Sequence, residues 1–71
     1  MSGYAVIIEG RDNSFSAYVP DLPGCVAAGE SVEEVERLIR EAIRLHLEDL
    51  RSHGEQVPAP EAAAVRLVDV A

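Results

Sequence analysis

From Val32 to Ser52 the chain runs without a glycine or proline, and no other stretch of it does so at helical spacing. One long helix is therefore fixed, and everything else must pack against it. Ser31 followed three residues later by Glu34 is a capping box. The hydroxyl is expected to take the Glu34 N–H, and the carboxylate to reach back to the Ser31 N–H. Gly54 supplies a left-handed stop. Val32, Val35, Ile39, Ile43, His46 and Leu50 fall on one stripe at 3.6 spacing, with Ala42 and Leu47 beside it. Glu33 with Arg37, Glu36 with Arg40, Arg37 with Glu41, and Arg44 with Glu48 are i,i+4 pairs of a solvated face.

The segments around this helix read as strands. Tyr4–Glu9 is β-branched and aromatic, and Phe15–Val19 alternates apolar with polar. About five turn formers, Gly10 to Ser14, join them as a β-hairpin. Pro20-Asp21-Leu22-Pro23-Gly24 stops the second strand, because proline lacks the N–H a ladder needs. Cys25–Ala28 is a short third strand with edge character. Beyond Gly54, residues 55–60 form an extended connector and Val65–Val70 a final strand.

The order β-β-β-α-β predicts an α+β fold. Its small mixed sheet is an antiparallel meander plus one parallel strand, with one helix on one face. With 71 residues, a single domain spans residues 1–71. The first strand offers Tyr4, Val6 and Ile8 to one side and Ala5 and Ile7 to the other. A single helix covers one side only, so apolar surface is left over and the chain is expected to form a homo-oligomer, a dimer or a tetramer.

Charge narrows the function. Thirteen acidic residues against six basic ones, all arginine, give a net charge of −7. That excess argues against direct nucleic-acid binding by this chain and favours a basic protein partner. No apolar run reaches the ~18 residues of a membrane span, no signal peptide opens the chain, and the lone cysteine fits a reducing, cytoplasmic setting. Chemistry-bearing constellations are missing from the pattern. Cys25, His46 and His53 have no nucleophile or ligand spacing. This strand order also begins ribonuclease-H-like nucleases, which hold metals with mid-sheet acids, but here Val6-Ile7 occupies the middle of the first strand. Glu9 and Asp69 lie near strand or chain ends, and Glu41 and Glu48 on the solvated face. We expect no enzyme activity, no cofactor and no metal. Leu38 and Leu45 lie off the main stripe, as peripheral core or as a second apolar strip for another chain.

Across nearly the whole chain the pattern resembles the HicB-type antitoxin family. The resemblance rests on Tyr4–Glu9, on Phe15-Ser16-Ala17-Tyr18-Val19-Pro20-Asp21-Leu22-Pro23-Gly24-Cys25, and on the helix entry Gly29-Glu30-Ser31-Val32-Glu33-Glu34. It continues through Ile39–Glu48 and the connector Gly54–Pro60. It implies a truncated ribonuclease-H-like fold without nuclease activity. It also implies a protein partner, a small basic HicA-type RNA-cleaving toxin whose RNA-binding face the antitoxin masks. Many members add a C-terminal DNA-binding segment; here a short form lacking it is expected. The contacts expected for the toxin are the acidic residues Glu33, Glu36, Glu41 and Glu48, the strip Leu38 and Leu45, and the loop Asp21, Leu22 and Pro23. The alternative is an orphan homo-oligomer of structural or regulatory role, without a toxin.

Overall fold

The computed structural model describes residues 3–62 and residue 64. Three strands, β1 (Ile7–Arg11), β2 (Ser14–Tyr18) and β3 (Val26–Gly29), precede one helix, α1 (Val32–Ser52). The sheet order is β1-β2-β3, and both pairings are antiparallel. The described domain is thus α+β, with one helix packed on one face of the sheet. The expected fourth strand, Val65–Val70, and its parallel pairing lie outside the described residues.

The hairpin is tighter than the run of turn formers suggests. Strand pairing extends through Gly10↔Phe15 and Arg11↔Ser14. Only Asp12 and Asn13 turn the chain, with φ of 53° and 64°. Two successive left-handed residues match the right-handed twist of the flanking strands, and Asp and Asn tolerate that conformation best after glycine. Gly10 is needed for a separate reason. Its φ is 136°, and a Cβ there would collide with the Ser14 carbonyl oxygen.

Alternation along the strands sorts residues between two faces. Ile8, Phe15, Ala17 and Ala27 face the helix, with Val19, Leu22 and Cys25 following in the loop. The fully buried core is Ala17, Val19, Leu22, Cys25, Val35 and Ile39, with Tyr4, Val6, Phe15, Ala42, Ile43 and Leu47 packed around it. Leu22 is 1 % exposed. Two tight turns fold it inward: its N–H donates to the Val19 carbonyl at 3.0 Å, and the Cys25 N–H donates to the Leu22 carbonyl at 3.1 Å. The Pro20–Gly24 loop is therefore pinned from beneath. Burying a side chain of this size stabilises by about 1.5–3 kcal/mol.

The helix begins as its capping residues require, with one change of partner. Ser31 Oγ accepts from the Glu34 N–H at 3.0 Å, as expected. The Glu34 carboxylate accepts from the Glu30 N–H at 2.6 Å, not from Ser31. Gly29 leaves room for that carboxylate, which a Cβ would strike. At the other end the Gly54 N–H donates to the Arg51 carbonyl at 3.1 Å and the Glu55 N–H to the Leu50 carbonyl at 2.9 Å. With Gly54 at φ 70°, this is a Schellman stop. The helix leans on β3 and β2 and touches β1 least. Its 21 residues span about 31 Å, whereas a five-residue strand spans about 17 Å, so α1 overhangs the sheet.

After Gly54 the connector returns to the sheet. The Tyr4 hydroxyl donates to the Pro58 carbonyl. Asp21 Oδ2 accepts from the N–H groups of Glu61 and Ala62, each at 3.1 Å. The register Ile7↔Tyr18 extrapolates to Tyr4 opposite Asp21, so both anchors sit at the same end of the sheet.

Candidate partner-binding surface

Among the described residues two surfaces are left open, and they differ in chemistry. The first is a flank of α1. At ~100° per residue from Val35, the residues Leu38, Leu45, Glu41 and Glu48 lie within about 60–140° on one side. Glu36, Arg40 and Glu33 lie about 100–160° away on the other. The expected contact residues of the helix therefore form two groups. Leu38, Glu41, Leu45 and Glu48 make one stripe on the flank away from β1. Leu38 is half-buried at the sheet end of that stripe, and Leu45 stands 53 % exposed. Glu36 instead lines an apolar groove of about 550 Å³ between α1 and the β1 side, with Gly3, Tyr4, Val6, Ile8, Ile39, Arg40 and Ile43. Glu33 is exposed on that same side.

The acids of the stripe are not bare. Arg44 grips Glu41 with two hydrogen bonds, Nη2 to Oε1 at 2.5 Å and Nε to Oε2 at 3.2 Å. Its Nη1 reaches Glu48 Oε2 at 2.6 Å. The hydrogen bond from Arg44 holds the Glu41 carboxyl below its ordinary value, and the same contact raises the Arg44 guanidinium. Among the expected i,i+4 pairs, Arg44–Glu48 is present, and Arg44 adds the i,i+3 pair with Glu41. Sequence reasoning missed this centre because Arg44 has an acid on both sides at helical spacing, and only one was counted. The flank thus presents an exposed leucine beside two oriented carboxylates clamped by one arginine.

The loop residues separate as well. Pro23 is exposed, Asp21 is half-buried and spent on the connector, and Leu22 is inside the core. Leu22 is buried and anchors the loop that carries Pro23. Cys25 is buried and free, and burial raises its thiol above the ordinary value, which suits a packing role. Among the described residues no three His, Cys, Asp or Glu side chains gather in a metal-holding group. No described helix is long and apolar enough to cross a membrane.

The second surface is the sheet face opposite the helix. Ile7 pairs with Tyr18, and Tyr18 with Val26, so three apolar side chains form one row across all three strands. Tyr18 is 42 % and Val26 63 % exposed. Nothing in a single strand signals this row; it exists only once the register is known.

A three-stranded antiparallel sheet under one overhanging helix, with an exposed leucine and carboxylates on one helix flank, makes a small α+β module. The profile described as HicB-like antitoxin of bacterial toxin–antitoxin system matches residues 4–69, and the chain belongs to that family. Family membership gives it a place in a toxin–antitoxin system and a toxin protein as partner. A UPF0150 protein of Thermoplasma acidophilum is 38 % identical over 63 residues, covering 87 % of this chain and 91 % of the relative. One from Thermotoga maritima is 36 % identical over 69 residues, covering 94 % and 88 %. One from Helicobacter pylori is 50 % identical over 46 residues, covering 65 % and 64 %. No solved structure matches.

Proposed function

We propose that this chain is the antitoxin of a type II pair and neutralises a small basic HicA-type RNA-cleaving toxin by covering its RNA-binding surface. It acts by binding and carries out no reaction. The observation that carries the reading is the free flank of α1, where Leu45 stands exposed between Glu41 and Glu48. An apolar anchor ringed by oriented carboxylates suits a basic protein surface, because the leucine contributes burial and the acids contribute steering and register. Leu38 extends the strip toward the sheet. Pro23, on the loop held by Leu22 and Asp21, and the acids Glu33 and Glu36 are secondary contacts. In this reading the chain works in the cytoplasm, contacts no nucleic acid itself, and self-associates as a dimer or tetramer.

The same reading completes the fold as a truncated ribonuclease-H-like domain, with residues 65–70 as a strand parallel to β1. The anchors of the connector support it. Tyr4 and Asp21 hold Pro58, Glu61 and Ala62 at the end where β1 begins, so a following strand beside β1 would run in the same direction.

The test is capture of the protein encoded by an adjacent small basic gene. A dissociation constant below about micromolar is expected, weakened at least a hundredfold by Leu45→Asp, with toxin RNA cleavage restored in parallel. Failure of the cognate protein to bind leaves the second reading, an orphan homo-oligomer, which the apolar row on the open sheet face favours.

A further inference from the structure

We infer that the connector is a strap that holds the overhanging half of α1 against the end of the sheet, and that Tyr4 and Asp21, which pin it, are positioning residues for the Leu45 flank. The inference rests on the binding flank proposed above and names what keeps that flank in place. Direction comes from the register. Gly29 pairs with Phe15 and Phe15 with Gly10, so β3 ends, and α1 enters, at the hairpin-turn end of the sheet. The helix runs from there toward the opposite end, where Ile43 lines the groove with Tyr4. Its overhang therefore projects past the end that carries both anchors. Leu47 is the last helix residue among those packed around the core, yet Leu50, one turn later, is still half-buried. Below the helix end, Val57, Pro60 and Ala62 of the connector are half-buried between exposed neighbours.

The tether is short. The Schellman stop at Gly54 turns the chain out of the helix. From Gly54 to Pro58 it reaches at most about 14 Å, because an extended residue covers about 3.3–3.6 Å. Once the Tyr4 hydroxyl holds the Pro58 carbonyl, the end of α1 cannot swing farther than that from its anchor. Asp21 secures the strap three and four residues further on. One oxygen of its carboxylate accepts two successive N–H groups, from Glu61 and Ala62, each at 3.1 Å. Bonds to a charged acceptor are stronger than those between neutral groups. Pro58 and Pro60 restrict the backbone in advance, so docking the strap removes less freedom. All three bonds lie outside the buried core, and they can be cut without emptying it. Undoing the last turns of α1 while the strap is pinned is opposed by the tether. With the strap released, only Ala42, Ile43 and Leu47 hold the second half of the helix down.

The experiment is residue-resolved amide exchange of the full chain in low urea, comparing wild type with Tyr4→Phe/Asp21→Asn, with toxin capture measured on the same samples. In the variant, exchange at Leu50 and Arg51 is expected to rise together with that at Glu61 and Ala62, by at least about tenfold, with the shallow urea dependence of a local opening. Toxin capture is expected to weaken about three- to tenfold, because the flank must then be ordered on binding. Should the double variant fail to fold, Tyr4→Phe removes a single hydroxyl and is expected to raise the same four amides at least about twofold. Faster exchange at Glu61 and Ala62 with Leu50 and Arg51 unchanged overturns the inference, since the strap would then hold nothing but itself. So does a rise that carries the steep urea dependence of global unfolding, and so does linked exchange with toxin capture equal to wild type. If no form captures a toxin, the antitoxin reading fails and exchange alone decides the strap: linked amides uphold it and unlinked amides overturn it.

Discussion

The two halves of α1 carry the same apolar spacing but stand in different surroundings. In the first half Val35 and Ile39 are buried against β2 and β3. In the second half Ala42, Ile43 and Leu47 are only partly covered, and Leu45 stands in solvent. The helix is longer than the strands beneath it, and that mismatch makes the difference. A residue's place on the helical wheel decides which way it points. The length of the sheet decides whether anything is there to meet it. The first half is therefore the more deeply buried, and the second half is the more exposed among the described residues.

The largest break in this contrast comes from truncating each half in turn. Ile39→Ala removes a fully buried side chain and is expected to cost about 2–5 kcal/mol. In a chain of 71 residues that is enough to leave much of the population unfolded. Leu45→Ala is expected within about 0.5 kcal/mol of wild type. Urea denaturation followed by circular dichroism measures both. Equal costs at the two positions would mean that Leu45 is covered in solution, and the distinction between halves would disappear.

The caps sharpen the contrast at intermediate scale. Ser31→Ala loses the bond to the Glu34 N–H and is expected to cost about 1 kcal/mol. Gly54→Ala forces a side chain into φ 70° and is expected to cost about 1 kcal/mol as well. Their consequences should differ in place. Loss of the first cap loosens the half that holds the core, and loss of the second frays the overhang and frees the connector. Amide exchange resolved by residue distinguishes them. Asp21→Ala is expected to raise exchange at Glu61 and Ala62 without raising it at Val35, because its carboxylate holds only the connector.

Local chemistry was legible in the amino-acid order, and long-range geometry was not. Ser31, Glu34 and Gly54 act within a turn of the chain, so both helix ends could be read from spacing. The Glu34 carboxylate chose the Glu30 N–H over Ser31, a one-residue change that depends on how the chain enters the cap. The hairpin turn looks longer in sequence than it is because Gly10, Arg11 and Ser14 read as turn formers yet belong to the strands. Glu9 and Arg11 are tolerated in a strand since they point to the open face, and Gly10 accepts the backbone strain. Leu22 between two prolines reads as loop, and only packing reveals it as core. In the candidate site, the Leu38–Leu45 spacing was legible. That Glu33 and Glu36 sit on the opposite flank from Glu41 and Glu48 was available from the helical wheel. The bond between Asp21 and residues forty positions later, and the row of Ile7, Tyr18 and Val26, required the register of the folded sheet.

The smallest effect tests what holds the overhanging half in shape. Arg44 bridges Glu41 and Glu48 in full view of solvent, so salt and entropy keep its contribution to stability small. Its signature is in titration instead. The folded Glu41 carboxyl lies below its ordinary value of 4.5, chiefly through the Arg44 hydrogen bond. A group whose folded value is lowered stabilises the fold fully above the unfolded value, and that contribution disappears as pH falls through the folded value. Acidification from pH 6 to pH 3 should therefore loosen the Arg44 clamp and leave Val35 and Ile39 packed. Carbon-13 titration of the glutamate carboxyls is expected to show Glu41 titrating at lower pH than in an Arg44→Gln variant. An unchanged Glu41 curve in that variant would show that the clamp does not persist in water, and the carboxylates beside Leu45 would then be free to turn toward an incoming base.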